Sequence, residues 1–516
     1  MTETVAQPMI DFPTSPADWV IVLPLVLSLL GAALALMLAN RQRWTFVLSV
    51  AVVLAVIACE VALLARIAEM GPVSMTMGKW LPPFGISFTA EAFGAGFALA
   101  AAVVTLLVLV YAQGERGRDA SKGFHPLTLL LLTGVTGSFL TGDLFNLYVW
   151  FEVMLISSFG LIVIGGKPMQ LDGAVKYGFL NFLATAFFLL SLGLLYGLLG
   201  TLNMADVRLT APAANPAAMT AIAALMLLAF GMKAAAFPVN AWLPASYHTP
   251  PAAVSALFAG LLTKVGVFVL LRMMVLVLPA SRDVLEPVLA VIAAATLVIA
   301  PLGAIAETNL RRAVGFVVIG GIGVVLVGLV VPSEQGVGGA GFYVLHAILT
   351  MTALYLVAGL IERATGTTDT QRMGGLYAAD APLSILFFVL VLAAAGVPPF
   401  LGFWPKLMLL QAGLGEGSWT GFAMTAALLV NAVLTLIAGA RLWAFMFWRS
   451  PPDLVPQSAD KRAGAGRVAV SGILVAVVVA AGLWPNPIVE AVRIGTGDFL
   501  DPSRYVTAVG LAGGAP

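Results

Sequence analysis

Long apolar runs separated by short polar loops follow one another along nearly the whole chain. A helix needs about 20 mostly apolar residues to cross the hydrocarbon core of a bilayer. Fourteen runs meet this requirement, so we predict an all-α polytopic membrane protein of 14 transmembrane helices. Their approximate cores are residues 19–39, 44–65, 88–112, 125–141, 143–165, 176–200, 217–246, 251–278, 284–305, 313–331, 340–361, 382–412, 420–448 and 468–485.

The seventh and twelfth runs are longer than one crossing requires, and both contain internal prolines. Pro238 and Pro244 interrupt the seventh run, and Pro398, Pro399 and Pro405 interrupt the twelfth. A proline in a membrane helix leaves a carbonyl without its usual N–H partner, which another polar group or water must then satisfy. We therefore predict that both helices are broken. Matching interruptions in the two halves of a chain are typical of a repeated transporter architecture.

The composition agrees with a membrane protein and narrows its chemistry. Of the 516 residues, 60% are hydrophobic and only 10% are charged. A single cysteine, Cys59, excludes a disulfide framework, an iron–sulfur cluster or a c-type haem held by this chain alone. The net charge of +1 does not indicate a nucleic-acid partner. We expect no cofactor and no metal, and the acidic N-terminal stretch lacks the basic segment of a cleavable signal peptide.

The basic residues predict an orientation in the membrane. Most of the 26 lysines and arginines lie on one set of alternating loops, and such loops face the cytoplasm. This bias predicts fourteen crossings of the membrane with both termini on the outer side. The longest inner loop, about 449–467, contains Pro451 and Pro452 and is interpreted as a linker.

Five ionisable residues lie inside predicted spans, far from the charged loops. A charge at the centre of a membrane helix costs about 2.5–3.5 kcal/mol on insertion scales, so such residues usually mark ion pathways. These residues are Glu152 in the fifth span, Lys233 in the seventh, Lys264 in the eighth, His346 in the eleventh and Lys406 in the twelfth. We interpret them as a polar line that relays protons at mid-membrane.

Each of these residues has a simpler interpretation. In the simpler interpretation, the lysines extend their charged ends to a membrane interface (snorkelling), and Glu152 and Lys233 form a static ion pair. His346 is then a core histidine whose hydrogen bonds are satisfied. We expect Glu152 and Lys233 instead to form a pair whose charge switches. His248, in the turn after the first break, is a candidate for proton entry, with helix capping as its alternative. Arg272 and Arg441 lie near helix ends and are expected to snorkel.

The stretch KAAAFPVNAWLPASYHTPPAAVSALFAGLLTKVG, residues 233–266, resembles the signature of the proton-translocating antiporter-like subunits. These subunits occur in respiratory complex I, membrane-bound hydrogenases and Mrp-type cation/proton antiporters. The resemblance covers roughly helices four to thirteen. It implies two inverted five-helix repeats, helices 4–8 and 9–13, with helices 7 and 12 broken. It also implies that the five ionisable residues are the family's proton relay.

The implied organisation has four parts: residues 1–123 with helices 1–3, the first repeat at 124–282, the second repeat at 283–449, and the linker and helix 14 at 450–516. Within the family the chain most resembles the D-type subunits of Mrp antiporters. It ends after fourteen helices and has Lys406 where M-type complex I subunits have a glutamate. The expected partners are other subunits of a hetero-oligomeric antiporter complex, the lipid bilayer, H⁺, and Na⁺ or K⁺.

Two other classes of function stay open from the sequence. In one, the chain is a proton-pumping membrane-arm subunit of complex I or of a membrane-bound hydrogenase, coupled to redox chemistry on other chains. In the other, it is a membrane scaffold without transport. The complete series of five ionisable residues argues against the scaffold.

Overall fold

The structure of the protein, a computed structural model, describes residues 15–115, 122–450 and 465–511. The predicted linker at about 449–467 lies mostly outside these residues. So do the first 14 residues and the basic residues at 116, 118, 461 and 462 that supported the predicted orientation.

The first part of the chain is helical except for one short hairpin. Its α-helices are α1 (Leu23–Met37), α2 (Gln42–Met70), α3 (Ala92–Glu115), α4 (Phe124–Leu140), α5 (Leu144–Ile162), α6 (Pro168–Leu199), α7 (Met204–Thr210), α8 (Pro216–Ala234), α9 (Trp242–Tyr247), α10 (Ala252–Leu257) and α11 (Thr263–Leu271). Two π-helical segments, Phe258–Leu262 and Arg272–Val277, join α10 to α11 and extend α11 into one continuous helical rod.

The remaining α-helices are α12 (Pro279–Ala306), α13 (Leu310–Val330), α14 (Glu334–Thr365), α15 (Leu376–Ala379), α16 (Ala381–Ala395), α17 (Phe403–Glu416), α18 (Trp419–Trp443), α19 (Ala465–Leu483), α20 (Asn486–Leu500) and α21 (Pro502–Val509). A π-helical segment, Ala444–Trp448, extends α18, and short 3₁₀ turns lie at Pro16–Ile21, Ala211–Ala213 and Thr370–Arg372.

Among the described residues, 11 helices are long and apolar enough to cross a membrane. Three shorter apolar helices accompany them: Leu23–Met37, Phe124–Leu140 and Ala381–Ala395. The chain is therefore a predominantly helical, multi-pass membrane protein, because only a helix satisfies its own backbone groups in hydrocarbon. Polar side chains cap the starts of several helices, as Asp143 does for α5 and Asn309 does for α13.

Two helical rods form the centre of the molecule. Every residue of the rod from Ala252 to Val277 is buried. It packs against α3, α8, α13 and α14. The second rod, α14, also contacts α16, α17, α19 and α20. Side chains on these two rods are therefore shielded from lipid, which suits ionisable groups.

Two helices are interrupted, with closely similar backbone geometry. The first ends at Ala234 and resumes as α9 at Trp242, and the second ends at Ala395 and resumes as α17 at Phe403. Each first half ends in a left-handed residue, Ala235 at φ 59° and Gly396 at φ 87°. Such a residue closes a helix, because the N–H groups at and after it bond back to carbonyls of the last turn, as Ala236 does to Gly231 and Val397 does to Leu392.

Several elements between and after the spans were not predicted from the sequence. Strands β1 (Val73–Thr76) and β2 (Ser87–Ala90) form an antiparallel hairpin between α2 and α3. After α19, the chain continues as α20 and α21, and α21 packs on both strands. The buried Asp498 of α20 accepts a hydrogen bond from the Ala92 N–H and pairs with Arg504 at 2.8 Å. These contacts fix the C-terminal helices to the start of α3.

The expectation that Arg272 snorkels to an interface is wrong. Its side chain is fully buried, and its guanidinium contacts the equally buried Glu91 at 2.5 and 2.7 Å. It also donates to the Thr141 and Phe139 carbonyls at the end of α4, each at 2.8 Å. The carboxylate and these carbonyls take the place of water, so this arginine has no need to reach an interface.

A layer of phenylalanine rings separates this ion pair from the rest of its rod. Phe268 lies one turn before Arg272, and its ring centroid is 5.4 Å from that of Phe97 and 5.3 Å from that of Phe139. The edge-to-face packing fills the space between Arg272 and Lys264 on the same rod. The Glu91–Arg272 pair is therefore a structural contact about two helical turns from Lys264 along the rod.

We predict that Arg272→Met destabilises the protein by about 3–5 kcal/mol, because it leaves the Glu91 carboxylate buried without its cation. Adding Glu91→Gln removes that charge and should recover much of the loss. The measurement is the melting temperature of the purified protein in detergent. Lys176→Ala, which breaks an exposed pair with Asp172, is the control with little expected effect. Equal melting of the wild type and Arg272→Met would contradict this account.

Candidate functional site

Lys233 lies on the last turn of α8, directly before the first break. Its side chain is 4% exposed, and its ammonium donates to Thr185 Oγ1 of α6 at 3.0 Å. The ammonium also lies over the Phe151 ring, 4.8 Å from the ring centroid. Beside it is a cavity of about 10 Å³, lined by residues that include Tyr177, Asn181 and Trp242. This is about the space that one water molecule needs.

Glu152 does not contact Lys233. The described residues include no ion pair within 4.0 Å between them, although the carboxylate does act electrostatically on the lysine. Glu152 is half-buried and lies along the exposed stripe of α5 formed by Phe145, Val149 and Ile156. The two predicted partners therefore interact electrostatically but are not in contact. Glu152 lies at the surface of the chain.

Lys264 lies at the centre of the fully buried rod and is 1% exposed. Its ammonium donates to the Ala259 carbonyl at 2.6 Å and to Thr263 Oγ1 at 3.3 Å. Ala259 belongs to the π-helical segment just before Lys264. A π segment shifts the backbone hydrogen bonds by one residue and often marks a functional position in a helix. Here it brings a carbonyl within reach of the amine.

His346 lies on α14 and is fully buried. Its Nδ1 is 3.1 Å from Thr350 Oγ1, whereas its Nε2 has no hydrogen-bond partner among the described residues. The Nε2 side of the ring faces Gly402 in the second break. A Cβ built on Gly402 would lie 2.9 Å from Nε2. A buried imidazole nitrogen without a partner is uncommon and leaves one position for a proton or a water molecule.

Lys406 lies on the first turns of α17, directly after the second break, and is 4% exposed. Its ammonium donates to the carbonyls of Ala394 at 3.2 Å and Ala395 at 2.8 Å. These are the last residues of α16, so the amine reaches back across the break. Lys233 precedes its break and Lys406 follows its own, so the two lysines do not occupy equivalent positions.

The five predicted residues form two groups joined by the central rod. His346 interacts electrostatically with both Lys264 and Lys406, which places these three residues together. Lys233 and Glu152 form the other group. Gly266 joins the two groups, because a Cβ built on it would lie 2.9 Å from the Ala234 N and 3.1 Å from the Lys233 C. Only a glycine lets the rod carrying Lys264 approach the backbone of Lys233 this closely.

The lysines share one feature that the sequence did not reveal. No carboxylate of the described residues lies within 4.0 Å of Lys233, Lys264 or Lys406, and each ammonium binds hydroxyl or carbonyl oxygens. Burial disfavours the charged form of an amine unless an opposite charge compensates. Amines held by neutral oxygens are therefore suited to losing and regaining a proton, and a static ion pair does not describe them.

His248 lies at the opposite end of α9 from the first break. It is half-buried, and its Nδ1 donates to the Pro244 carbonyl at 2.9 Å. Burial lowers the pKa of His248, the Pro244 carbonyl raises it, and the nearby Arg312 and Arg311 lower it further. In the neutral imidazole that donates through Nδ1, Nε2 is the acceptor nitrogen. The geometry satisfies both the capping interpretation, through Nδ1, and the proton-entry interpretation, through Nε2.

Thr185 and Asn181 belong to the site but were not predicted. They lie at i and i−4 on α6 with Tyr177 another four residues earlier, which places all three on one helix face. The Asn181 amide donates to the Tyr177 carbonyl and the Thr185 hydroxyl to the Asn181 carbonyl, each at 2.9 Å. Polar residues repeated every four positions in an otherwise apolar span were the sequence signal that could have predicted this polar helix face.

The helical architecture, the two interrupted helices and the buried amines define a class of polytopic membrane proteins that carry ionisable groups inside the helix bundle. Residues 141–435 match the family described as NADH:quinone oxidoreductase/Mrp antiporter, transmembrane. The D-type subunit of the Na⁺/H⁺ antiporter of Bacillus subtilis (strain 168) is 33% identical over 494 residues, which cover 95% of this chain and 99% of that protein.

Solved structures agree with this match. A chain of the Mrp complex from Dietzia sp. DQ12-45-1b superimposes with a TM-score of 0.90 at 28% identity, covering 96% of this chain and 100% of that one. A chain of an archaeal membrane-bound sulfane sulfur reductase gives a TM-score of 0.86 at 26% identity, covering 96% and 99%. The chain belongs to the transmembrane family of NADH:quinone oxidoreductase and Mrp antiporter subunits.

We predict that Gly402→Ala destabilises the protein by about 1–3 kcal/mol, because the added methyl overfills the second break. The new Cβ would press on the Ala393 carbonyl oxygen and lie 2.9 Å from His346 Nε2. Gly415→Ala, on the helix α17 that follows the break, is the matched control, since a Cβ there meets nothing within 4 Å. Melting temperatures of the purified variants test this. If the two variants melt alike, the break tolerates more volume than its packing indicates.

Proposed function

We propose that the chain is the proton-translocating subunit of a multisubunit Mrp-type cation/proton antiporter, which exchanges Na⁺ for H⁺. Three amines and one imidazole buried inside the helix bundle, all held by neutral groups, are the observation that carries the proposal. A group that binds a proton weakly in a dry interior can release it when a neighbouring charge moves. The similarity to the D-type subunit of the Bacillus subtilis Na⁺/H⁺ antiporter supports the same function.

In this proposal Glu152, Lys233, Lys264, His346 and Lys406 relay protons across the middle of the membrane, and His248 admits them at the inner face. Lys264 and His346 connect the two broken helices. The Nε2 of His346 accepts a proton from either Lys264 or Lys406, while the other of these two lysines keeps its proton. No cofactor takes part in this sequence of transfers.

The three shorter apolar helices complete fourteen crossings in the proposal, with both termini on the outer side of the bacterial inner membrane. The two interrupted helices are then the seventh and the twelfth, in inverted repeats at 124–282 and 283–449. Their similar closing geometry at Ala235 and Gly396 supports the repeat. The parts at 1–123 and 450–516 flank these repeats.

The position of Glu152 supports assembly with other subunits. A half-exposed carboxylate in a membrane span is costly against lipid. Its stripe on α5 is therefore proposed to face a neighbouring subunit, from which Glu152 receives an electrostatic signal. Movement of a charge beside Glu152 then changes the proton affinity of Lys233 through the interaction between them.

A second candidate function is a proton-pumping subunit of a redox complex, such as complex I or a membrane-bound hydrogenase. The similarity to a chain of the sulfane sulfur reductase complex favours it, because the buried residues would act alike there. The two functions differ in what drives the exchange. An antiporter exchanges H⁺ for Na⁺ in vesicles without any electron donor, whereas a redox pump requires one.

We predict that Lys233→Ala and Glu152→Gln each lower Na⁺-driven proton movement at least about tenfold, because each removes a step of the relay. Lys233→Arg should fail as well, since arginine keeps its proton at any accessible pH. The measurement is Na⁺-dependent collapse of a pH gradient in vesicles that contain the assembled complex, without an electron donor. Lys176→Ala, at an exposed lysine, is the control.

Normal exchange by assembled complexes that carry Lys233→Ala or Glu152→Gln would remove the substituted residue from the mechanism. Full activity of Lys233→Arg would show that Lys233 acts as a fixed charge. Exchange that appears only when an electron donor is supplied would replace the antiporter with the redox function.

A further inference from the structure

A cavity of about 220 Å³ lies where the end of α7 and the starts of α8 and α12 meet. In the proposed topology these helix ends lie at the outer membrane–water interface. Among the described residues, one cation lines the cavity, Arg208 on the last turn of α7, and no carboxylate does. The cavity is therefore a cationic site that the proposed proton relay does not use.

The Arg208 guanidinium has no acceptor within the part of the chain that the structure describes. It makes no ion pair and no hydrogen bond there, although its Nε is buried. The neighbouring arginine on α12, Arg282, is by contrast paired with Asp283. A guanidinium presents its donors in a planar fork that fits phosphate and carboxylate oxygens. Arg208 therefore has donors left for an anionic ligand.

The first turn of α12 adds donors to the same cavity. The first N–H groups of a helix have no partner within it, and Leu278, which precedes α12, provides no side-chain cap. The N–H groups of Ala280 and Ser281 are therefore available, and both residues line the cavity. The Ser281 side chain is only 6% exposed, yet its hydroxyl has no hydrogen-bond partner among the described residues. A helix start with free N–H groups favours a bound anion.

The start of α8 borders the same cavity and provides an internal comparison. There the Asn215 side chain accepts hydrogen bonds from the Ala217 N–H at 3.0 Å and the Ala218 N–H at 3.1 Å. The chain thus caps one of the two helix starts with its own side chain and leaves the other, near Arg208, without a cap. This difference indicates that the missing acceptor at α12 comes from outside the chain.

An apolar stripe continues from the cavity along α12. Val284 lines the cavity, and Val288 and Val291 follow it, all three with exposed side chains. Their spacing of four and three residues places them on one face of the helix. A ligand in this position meets donors for an anion at the start of α12 and an exposed apolar surface further along it. A phospholipid has its phosphate and its acyl chains in the same order.

We propose that Arg208, Ser281 and the first N–H groups of α12 bind the phosphate group of a phospholipid, whose acyl chains lie along the valine stripe. The site requires that α12 crosses a bilayer and starts at its surface, and it does not depend on the proposed transport function. One phosphate contacts both α7 and α12, so its binding should stabilise the folded chain.

The test titrates the full chain, purified in an uncharged detergent and freed of lipid, with phosphatidylglycerol. We expect the melting temperature to rise with the lipid concentration. Arg208→Gln should increase the concentration for a half-maximal rise at least about tenfold, because charge-assisted hydrogen bonds are lost. Arg208→Lys, which keeps the charge without the planar fork, should fall between Arg208→Gln and the wild type.

Ser281→Ala is a second, milder variant, because it removes one donor and adds no volume. It should weaken the titration in the same direction, and it tests the site even if Arg208→Gln does not fold. Arg493→Gln is the matched control, since Arg493 is an exposed arginine of α20 that is paired with Glu490. The control should titrate like the wild type.

Two further ligands identify what is bound: inorganic phosphate, and an uncharged glycolipid with the same acyl chains. The proposal predicts that neither raises the melting temperature at concentrations where phosphatidylglycerol does. An equal rise with inorganic phosphate that Arg208→Gln abolishes would overturn the lipid and assign the site to free phosphate. An equal rise with the glycolipid, an equal loss in Arg493→Gln, or unchanged titrations of both Arg208→Gln and Ser281→Ala would overturn the site.

Discussion

The energetic cost of an amine in hydrocarbon shapes this protein more than any other constraint. A buried lysine must be solvated by oxygen atoms, and regular helices have no carbonyls to spare. The chain supplies them by departing from regular α-helix. A π-helical segment presents the Ala259 carbonyl to Lys264, and the end of α16 presents two carbonyls to Lys406. Lys233 ends its helix beside a break and uses the hydroxyl of Thr185 instead.

Holding the lysines with neutral hydroxyl and carbonyl oxygens has a functional consequence that an ion pair would not have. A carboxylate in contact would hold each lysine in its charged form, whereas hydroxyls and carbonyls stabilise the ammonium only partly. The structure contains a true buried ion pair for comparison, between Arg272 and Glu91, and a layer of phenylalanine rings separates it from Lys264. The protein thus keeps permanent charges for stability apart from the groups proposed to carry protons.

Local features of the site were predictable from the sequence, and long-range contacts were not. Prolines such as Pro238 and Pro399 indicated where helices stop, and isolated lysines within apolar runs indicated buried amines. The partner of Arg272 lies 181 residues away, so a pattern of neighbouring residues placed that arginine at an interface. For the same reason the sequence suggested contact between Glu152 and Lys233, because it does not fix how α5 and α8 are rotated about their axes.

The hairpin and the helices α20 and α21 were missed for a different physical reason. A search for spans of about 20 apolar residues passes over β1, α20 and α21, which are polar or only partly apolar. It assigned most of β2 to the third predicted span, which in the structure begins only at Ala92. The π-helical segment before Lys264 was also not foreseeable, since FAGLL has no proline and a glycine such as Gly260 is common in membrane helices. Close packing against α14, where Gly260 meets the Thr352 hydroxyl, accompanies it.

The central claim is that Lys264, His346 and Lys406 act as one relay and not as two independent halves. Its most direct test compares exchange by Lys264→Ala, Lys406→Ala and the double variant in vesicles with equal amounts of assembled complex. Residues that act as one unit are strongly non-additive, so the account predicts that each single variant loses about as much as the double variant. Large residual exchange in both single variants, with losses that multiply in the double variant, would contradict a continuous relay.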